Sequence, residues 1–258
     1  MRGSLRLRLP RGVGKSLQEW YEEIRRQFIL NFITDNRWRF LLNGLGVTLR
    51  ITFFSLLTGL AIGIVVAIVR STHDKNAASM NPSLSRFALR FINSICKIYL
   101  TVIRGTPVVL QLLIFWLIIL VSVKDTILIG IVAFGINSGA YIAEIFRSGI
   151  MSVDNGQFEA GRSLGFNYIQ TMCYIIIPQA FKNVLPTLAN EFIVLLKETA
   201  VVGYIAVQDI TKGGHIIVGR TYSAFMPLIT VALVYLLLVM FFTWLVGKLE
   251  RRLRSSER

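Results

Sequence analysis

Residues 152–186 read SVDNGQFEAGRSLGFNYIQTMCYIIIPQAFKNVLP and form the longest polar interruption between apolar runs in the second half of the chain. Asp154 stands as an N-cap, and Gln157 three residues on makes a capping-box-like pair with it. Gly165 occupies the place of a glycine just past a helix end. The spacing therefore predicts a short helix of about ten residues, too short to hold itself together in water, so that it must dock on something. Its centre, Ala160, Gly161 and Ser163, is small enough for another backbone to come close. After Gly165 an apolar run carrying Pro178 and Pro186 leads back into a greasy segment.

The composition around this stretch is that of a membrane protein. Hydrophobic residues make up 54% of the 258 and charged residues 16%, an imbalance that a water-soluble domain does not carry. The formal charge of +14 sits in the ends and the loops. That distribution points to membrane orientation and anionic lipid rather than to nucleic acid. Cys96 and Cys173 are far apart and have no metal-ligand spacing, and His73 and His215 are isolated, so no metal site is expected. Residues 12–16 (GVGKS) imitate a phosphate loop, but the glycine required earlier in the motif is replaced by Leu9 and no strand precedes it. The first fifteen residues are basic without the apolar run of a secretory signal.

Taken in order, residues 1–43 form a basic and aromatic N-terminal segment. Over 16–40, Trp20, Tyr21, Phe28, Phe32 and Trp38 alternate with Arg25, Arg26, Arg37 and Arg39, which suits an amphipathic helix on the membrane surface. Residues 44–250 form the membrane domain, with five spans expected. The first has its charge-free part at 51–69, long enough for the hydrocarbon core. In it Ser55, Gly59, Gly63 and Ala67 recur every fourth residue, a stripe that lets two helices approach in lipid. Residues 70–104 read as an elbow helix at the cytoplasmic surface, with Arg86, Arg90 and Lys97 on one face. The second span, 107–123, is charge-free with Gln111 as its strongly polar residue. The third, 126–146, has a small stripe (Gly135, Gly139, Ala143) and a polar stripe (Asn137, Tyr141, Glu144). The fourth, 183–207, holds Asn190, Glu191, Lys197 and Glu198, too polar a set to face lipid. Residues 208–222 read as a polar loop, 223–247 as a fifth, charge-free span, and 251–258 as a basic cytoplasmic tail.

Three local patterns carry a resemblance. Glu159-Ala160-Gly161, Gly165 and Ile175 to Pro178 resemble the EAA loop of bacterial ABC-importer permease subunits, with Gly at the third position of the Glu-Ala-Ala run. Arg104-Gly105-Thr106-Pro107 followed by Gln111, and Gly139-Ala140-Tyr141 followed by Glu144 and Arg147, resemble the signatures of the polar amino-acid branch of that family. Lys197-Glu198-Thr199-Ala200 resembles a fourth such run with two substitutions. The resemblance implies an all-α integral membrane permease subunit of the bacterial cytoplasmic membrane. Its loop 152–172 would be a cytoplasmic coupling helix that seats in an ATPase subunit through Gln157, Glu159, Ala160, Gly161 and Gly165. It also implies a second permease subunit and an extracytoplasmic amino-acid-binding protein as partners. ATP and Mg²⁺ would sit on the ATPase, with no cofactor on this chain.

A free amino acid carries an ammonium and a carboxylate, so its path needs polar groups of both kinds shielded from lipid. Asn183, Asn190 and Lys197 recur every seventh residue and share a helix face, with Glu191 and Glu198 alongside. Together with Gln111, Asn137, Tyr141 and Glu144 they are the candidate substrate path, Lys197 meeting the carboxylate and Glu144 or Glu198 the ammonium. The same residues could instead join helices by hydrogen bonds, and Glu144 could simply pair with Arg147. Two other classes remain to be weighed. A self-contained channel or secondary transporter would use the same stripes but gives no reason for a docking helix at Glu159. A membrane enzyme would need a nucleophile with its base or a metal set, and the sequence offers neither.

Overall fold

The computed structural model describes residues 17–76 and 84–255. The Gly12–Ser16 sequence, residues 77–83 of the expected elbow helix and the end of the basic tail lie outside those residues. The described chain is built of helices α1 (Leu17–Phe28), α2 (Trp38–Asn76), α3 (Leu84–Gly105), α4 (Val108–Ile114), α5 (Thr126–Met151), α6 (Asn155–Ser163), α7 (Tyr168–Thr171), α8 (Ile177–Glu198), α9 (Ile210–Thr221) and α10 (Phe225–Ser255).

α2 and α5 form the centre, and the expected small stripes are what joins them. A Cβ on Gly59 would lie 3.1 Å from the Gly139 nitrogen and 3.2 Å from the Gly135 oxygen, and one on Gly63 would lie 2.5 Å from Ile142 Cγ2. With glycine at these crossings the two backbones touch, which maximises dispersion contact where lipid supplies no hydrophobic drive. Ser55 Oγ donates to the Ile131 carbonyl at 3.2 Å across the same seam. One end of this pair is sealed by a core of Ile51, Leu112, Ile129, Phe134, Leu195 and Val202.

Three helices, α2, α5 and α10, are each long and apolar enough to cross a membrane. The second expected span is not straight. α3 and the short run Val108–Ile119 meet at 111° across Arg104-Gly105-Thr106-Pro107, because Pro107 is extended (ψ 135) and starts a new helix. Its apolar limb alone is too short for the roughly 20 residues a straight span needs. α8 begins at Ile177, ahead of the expected start, and tightens into a 3₁₀ helix at Thr199–Ile205.

Two expectations are corrected. The N-terminal surface helix does not run to Phe40. α1 has no buried residue and the helical path breaks at Asp35 and Asn36, both with positive φ (55° and 53°). Arg37 pins the break by donating to the Leu30 carbonyl (2.7 Å) and to Asp35 (2.8 Å). α2 then starts at Trp38, so the 43/44 division falls inside one continuous helix. The stretch 208–222 is not a loop: it is α9, capped by Asp209, whose carboxylate accepts from the Thr211 and Lys212 N–H groups. Two of its glycines are close-approach sites, a Cβ on Gly213 falling 2.6 Å from the Phe40 oxygen and one on Gly214 2.7 Å from Val231 Cγ2.

Candidate functional site

The segment between α5 and α8 is held by its own sequence. Asp154 caps α6 by accepting from the Gly156 N–H at 2.6 Å. The reciprocal half of a capping box is absent there, since Gln157 instead accepts from Gln179 at 3.4 Å. The box forms one helix later, where Asn167 and Gln170 exchange side-chain and backbone bonds at 2.9 Å each. Gly165 ends α6 with φ +82°, and the Gly165 and Phe166 N–H groups donate to the Arg162 and Gly161 carbonyls. These two bonds make a Schellman motif, for which a residue without Cβ is favoured.

α6 docks through Phe158 and Gly161. Val153, Ile150, Ile176 and Ala180 form a small core against Phe158. Gly161 is buried, but what lies over it is the Thr171 side chain (2.8 Å from a built Cβ) and Ile175, not another backbone as its small size suggested. The other face stays open: Gln157, Glu159, Ala160 and Gly165 are exposed. Beside them Leu164 is 74% and Ile169 70% exposed. The loop therefore exposes a carboxylate on α6 and two large apolar side chains shortly after it in the chain.

Two consecutive residues at the end of α2 connect this loop to the interior. Lys75 Nζ lies 3.7 Å from the centre of the Phe158 ring and donates to Asn155 Oδ1 at 3.3 Å. Asp74 Oδ2 is 3.5 Å from Arg147 Nη1. Arg147 donates twice to Glu144 Oε2, at 3.0 and 3.2 Å. Glu144 Oε1 in turn stands 4.0 Å from Arg104, whose guanidinium is 5.7 Å from the Tyr141 ring centre. Arg104, Tyr141 and Glu144 line a cavity of about 580 Å³ together with Arg70, Lys97 and Thr101. The expected Glu144–Arg147 pair is thus present, and its Glu144 lines this cavity. The sequence reading missed Arg70, Lys97 and Arg104 as cavity residues, although the two arginines bound apolar runs and Lys97 shares the face named for α3.

The remaining candidates separate. Gln111 and Asn137 are buried and bonded to each other, Asn137 Nδ2 donating to Gln111 Oε1 at 2.9 Å. The Gln111 amide also donates to the Ile103 carbonyl (2.7 Å), the Thr106 carbonyl (3.0 Å) and Thr106 Oγ1 (2.8 Å). It thereby satisfies carbonyls left open where α3 ends at the bend. Asn183, Asn190 and Lys197 are all exposed, as one helix face should be. Glu191, the neighbour of Asn190, is buried and accepts from Ser138 Oγ at 3.1 Å, so it faces α5. Glu198 is half-buried. Lys197 is not part of the wall that Glu144 and Tyr141 line, so the two expected halves of the path do not share one cavity of this chain.

Comparison with known proteins is consistent across sequence and structure. A putative glutamine transport system permease protein of Rickettsia bellii is 35% identical over 220 residues, covering 84% of this chain and 94% of that protein. The arginine transport system permease protein of Bacillus subtilis is 38% identical over 221 residues, again 84% and 94%. A solved structure of an amino acid ABC transporter with histidines matches with a TM-score of 0.74 at 37% identity, over 86% of this chain and 98% of that one. An inward-facing methionine ABC transporter, 19% identical with a TM-score of 0.70 over 84% of this chain and 97% of that one, shares the fold. The family model for binding-protein-dependent transport system inner membrane components matches residues 77–255, from α3 through α10. By that match, and by relatives aligned over nearly their whole length, the chain belongs to the family of binding-protein-dependent transport system inner membrane components.

Proposed function

We propose that the chain is the translocation subunit of an ATP-driven importer for a polar amino acid such as glutamine, glutamate, histidine or arginine. The observation that carries this is α6. It is a helix of nine residues, capped at both ends, whose apolar side is docked inside the chain and whose Glu159 side is uncovered, with Leu164 and Ile169 exposed shortly after it in the chain. A surface of that kind suits a groove on another subunit. ATP and Mg²⁺ belong to that ATPase subunit. Asn190 and Lys197 form a polar face of α8 left open by this chain, in line with Asn183, which donates to Ser152 Oγ at 3.0 Å; that face suits contact with a second permease subunit or with the translocated solute. An extracytoplasmic binding protein would deliver the solute, and movement of α6 with the closing ATPases would reopen the spans outward.

The topology that accompanies this reading has five crossings: α2, the bent α3–α4 pair, α5, α8 and α10. The coupling loop and the tail are then cytoplasmic and the N-terminus is outside. That places nine Lys and Arg of the first 43 residues on the outer side, against the usual bias, which the basic loops and tail outweigh. Cysteines introduced at Ser4 and Ser256, with Cys96 and Cys173 replaced, should be labelled from opposite sides. Labelling of both from one side would remove the five-span count.

Glu159→Lys tests the function itself. The carboxylate is on the fifth of the nine residues of α6 and is exposed. Its reversal should leave the spans folded and abolish ATPase co-purification or ATP-dependent uptake. Normal assembly and normal uptake would refute the assignment of α6.

A further inference from the structure

The cavity between α3 and α5 holds more positive charge than its ion pairs use. Arg70, Lys97 and Arg104 line it against a single carboxylate, Glu144. Both Arg147 bonds fall on Glu144 Oε2, so Oε1, 4.0 Å from Arg104, is the oxygen still free to accept. Arg70 makes one long bond, 3.4 Å to Asn93 Oδ1, and its Nε is buried without a partner. Lys97 is exposed to the cavity side and has no carboxylate within ion-pair distance among the described residues. The other polar walls, Thr101 and Tyr141, carry no charge.

Any free amino acid needs one acceptor for its ammonium and one cation for its carboxylate. Glu144 Oε1 and Arg104 supply that pair. A cationic side chain would then require a second carboxylate, and the cavity offers none. A neutral amide side chain would leave Arg70 and Lys97 both unanswered. A second carboxylate on the substrate would answer them, with charge-assisted hydrogen bonds to groups that otherwise face one another as like charges. A lipid phosphate would also satisfy the cations, but Glu144 in the same wall would repel it.

Resting on the reading of the chain as an amino-acid permease, we propose that this cavity selects a dicarboxylic amino acid, its side-chain carboxylate held by Lys97 and Arg70. Lys97 and Thr101 are the specificity-determining positions: the first supplies the second cation, and the second is a neutral place where a carboxylate would reverse the preference.

The test is direct binding of radiolabelled L-glutamate, L-glutamine and L-arginine to the permease–ATPase complex in nanodiscs, without the binding protein, followed by ATP-dependent uptake in proteoliposomes supplied with the binding protein. Glutamate should bind at least about tenfold more tightly than glutamine, and arginine more weakly still. Lys97→Met should lower glutamate affinity about tenfold while shifting glutamine by less than about threefold. Thr101→Glu should move the preference toward arginine. Co-purification with the ATPase controls for folding in each variant. Wild-type complex that binds glutamine or arginine as well as glutamate overturns the proposal while leaving the importer reading intact. So does a cavity whose only detectable occupant is anionic lipid, seen as retained phosphatidylglycerol that glutamate does not displace. An assembled complex that, with the binding protein and ATP supplied, takes up neither these three nor L-histidine overturns both.

Discussion

α5 and α10 are both long and apolar, yet their surroundings are opposite. The most apolar window of α10 has a mean hydropathy of 2.6 and is 11% buried within the chain, whereas that of α5 has 1.7 and is 61% buried. The more hydrophobic helix is the one the protein leaves uncovered. Against water this would be inverted. In lipid it follows from the solvent: a Leu gains nothing by leaving the tails, so the interior is assembled from close backbone contact and paired polar groups. α5 has Gly135, Gly139 and Ala143 against α2, and Asn137 and Ser138 bonded to Gln111 and Glu191. α10 exposes Leu233, Leu236, Leu237, Met240 and Phe241.

The comparison is broken most severely by enlarging a residue on the seam. Gly63→Leu puts a Cβ 2.5 Å from Ile142 Cγ2 and 3.0 Å from the Ala143 nitrogen, which only separation of the two helices relieves. We expect a loss of about 3 kcal/mol or more, at the upper end of overpacking costs, read as a lower melting temperature of the purified complex. An unchanged melting temperature would mean that α2 and α5 are not in contact.

A middle effect is expected at the bend. Gln111→Leu keeps the volume but strips partners from Asn137 and from the Ile103 and Thr106 carbonyls. Leaving such groups buried and unpaired costs about 1–3 kcal/mol. A loss of uptake at unchanged stability would instead return Gln111 to the substrate path. The smallest effect belongs to α10: Leu237 is 64% exposed, and Leu237→Ala should change stability by no more than about 0.5 kcal/mol. A loss near that of the seam variant would show that α10 is covered by another subunit rather than by lipid.

What the sequence made legible follows the same division. The small stripes of α2 and α5 could be read because a period of four glycines or alanines has few uses on an apolar helix. Gly165 could be read because a left-handed residue after a short polar helix favours glycine. α9 could not: Gly213 and Gly214 look like loop residues unless one knows that Phe40 and Val231 press on them. The true capping box, Asn167 with Gln170, hid behind the equally good pattern at Asp154 and Gln157. Periodicity on α8 placed Asn183, Asn190 and Lys197 on one face, but not whether that face would be closed. The cavity's cations escaped because Arg70 lies on α2 and Lys97 and Arg104 on α3, and the sequence does not show that these helices meet α5.

Lys75 and Asp74 are neighbours on the last turn of α2, one gripping α6 and the other gripping Arg147. A single peptide unit thus separates the grip on the exposed loop from the grip on the cavity wall. The backbone between the two grips is as short as it can be, and what give there is lies in the Lys75 stem and the Asp74–Arg147 pair. Arg147 also holds Glu144, so side-chain contacts run unbroken from Phe158 on α6 to the carboxylate that lines the cavity.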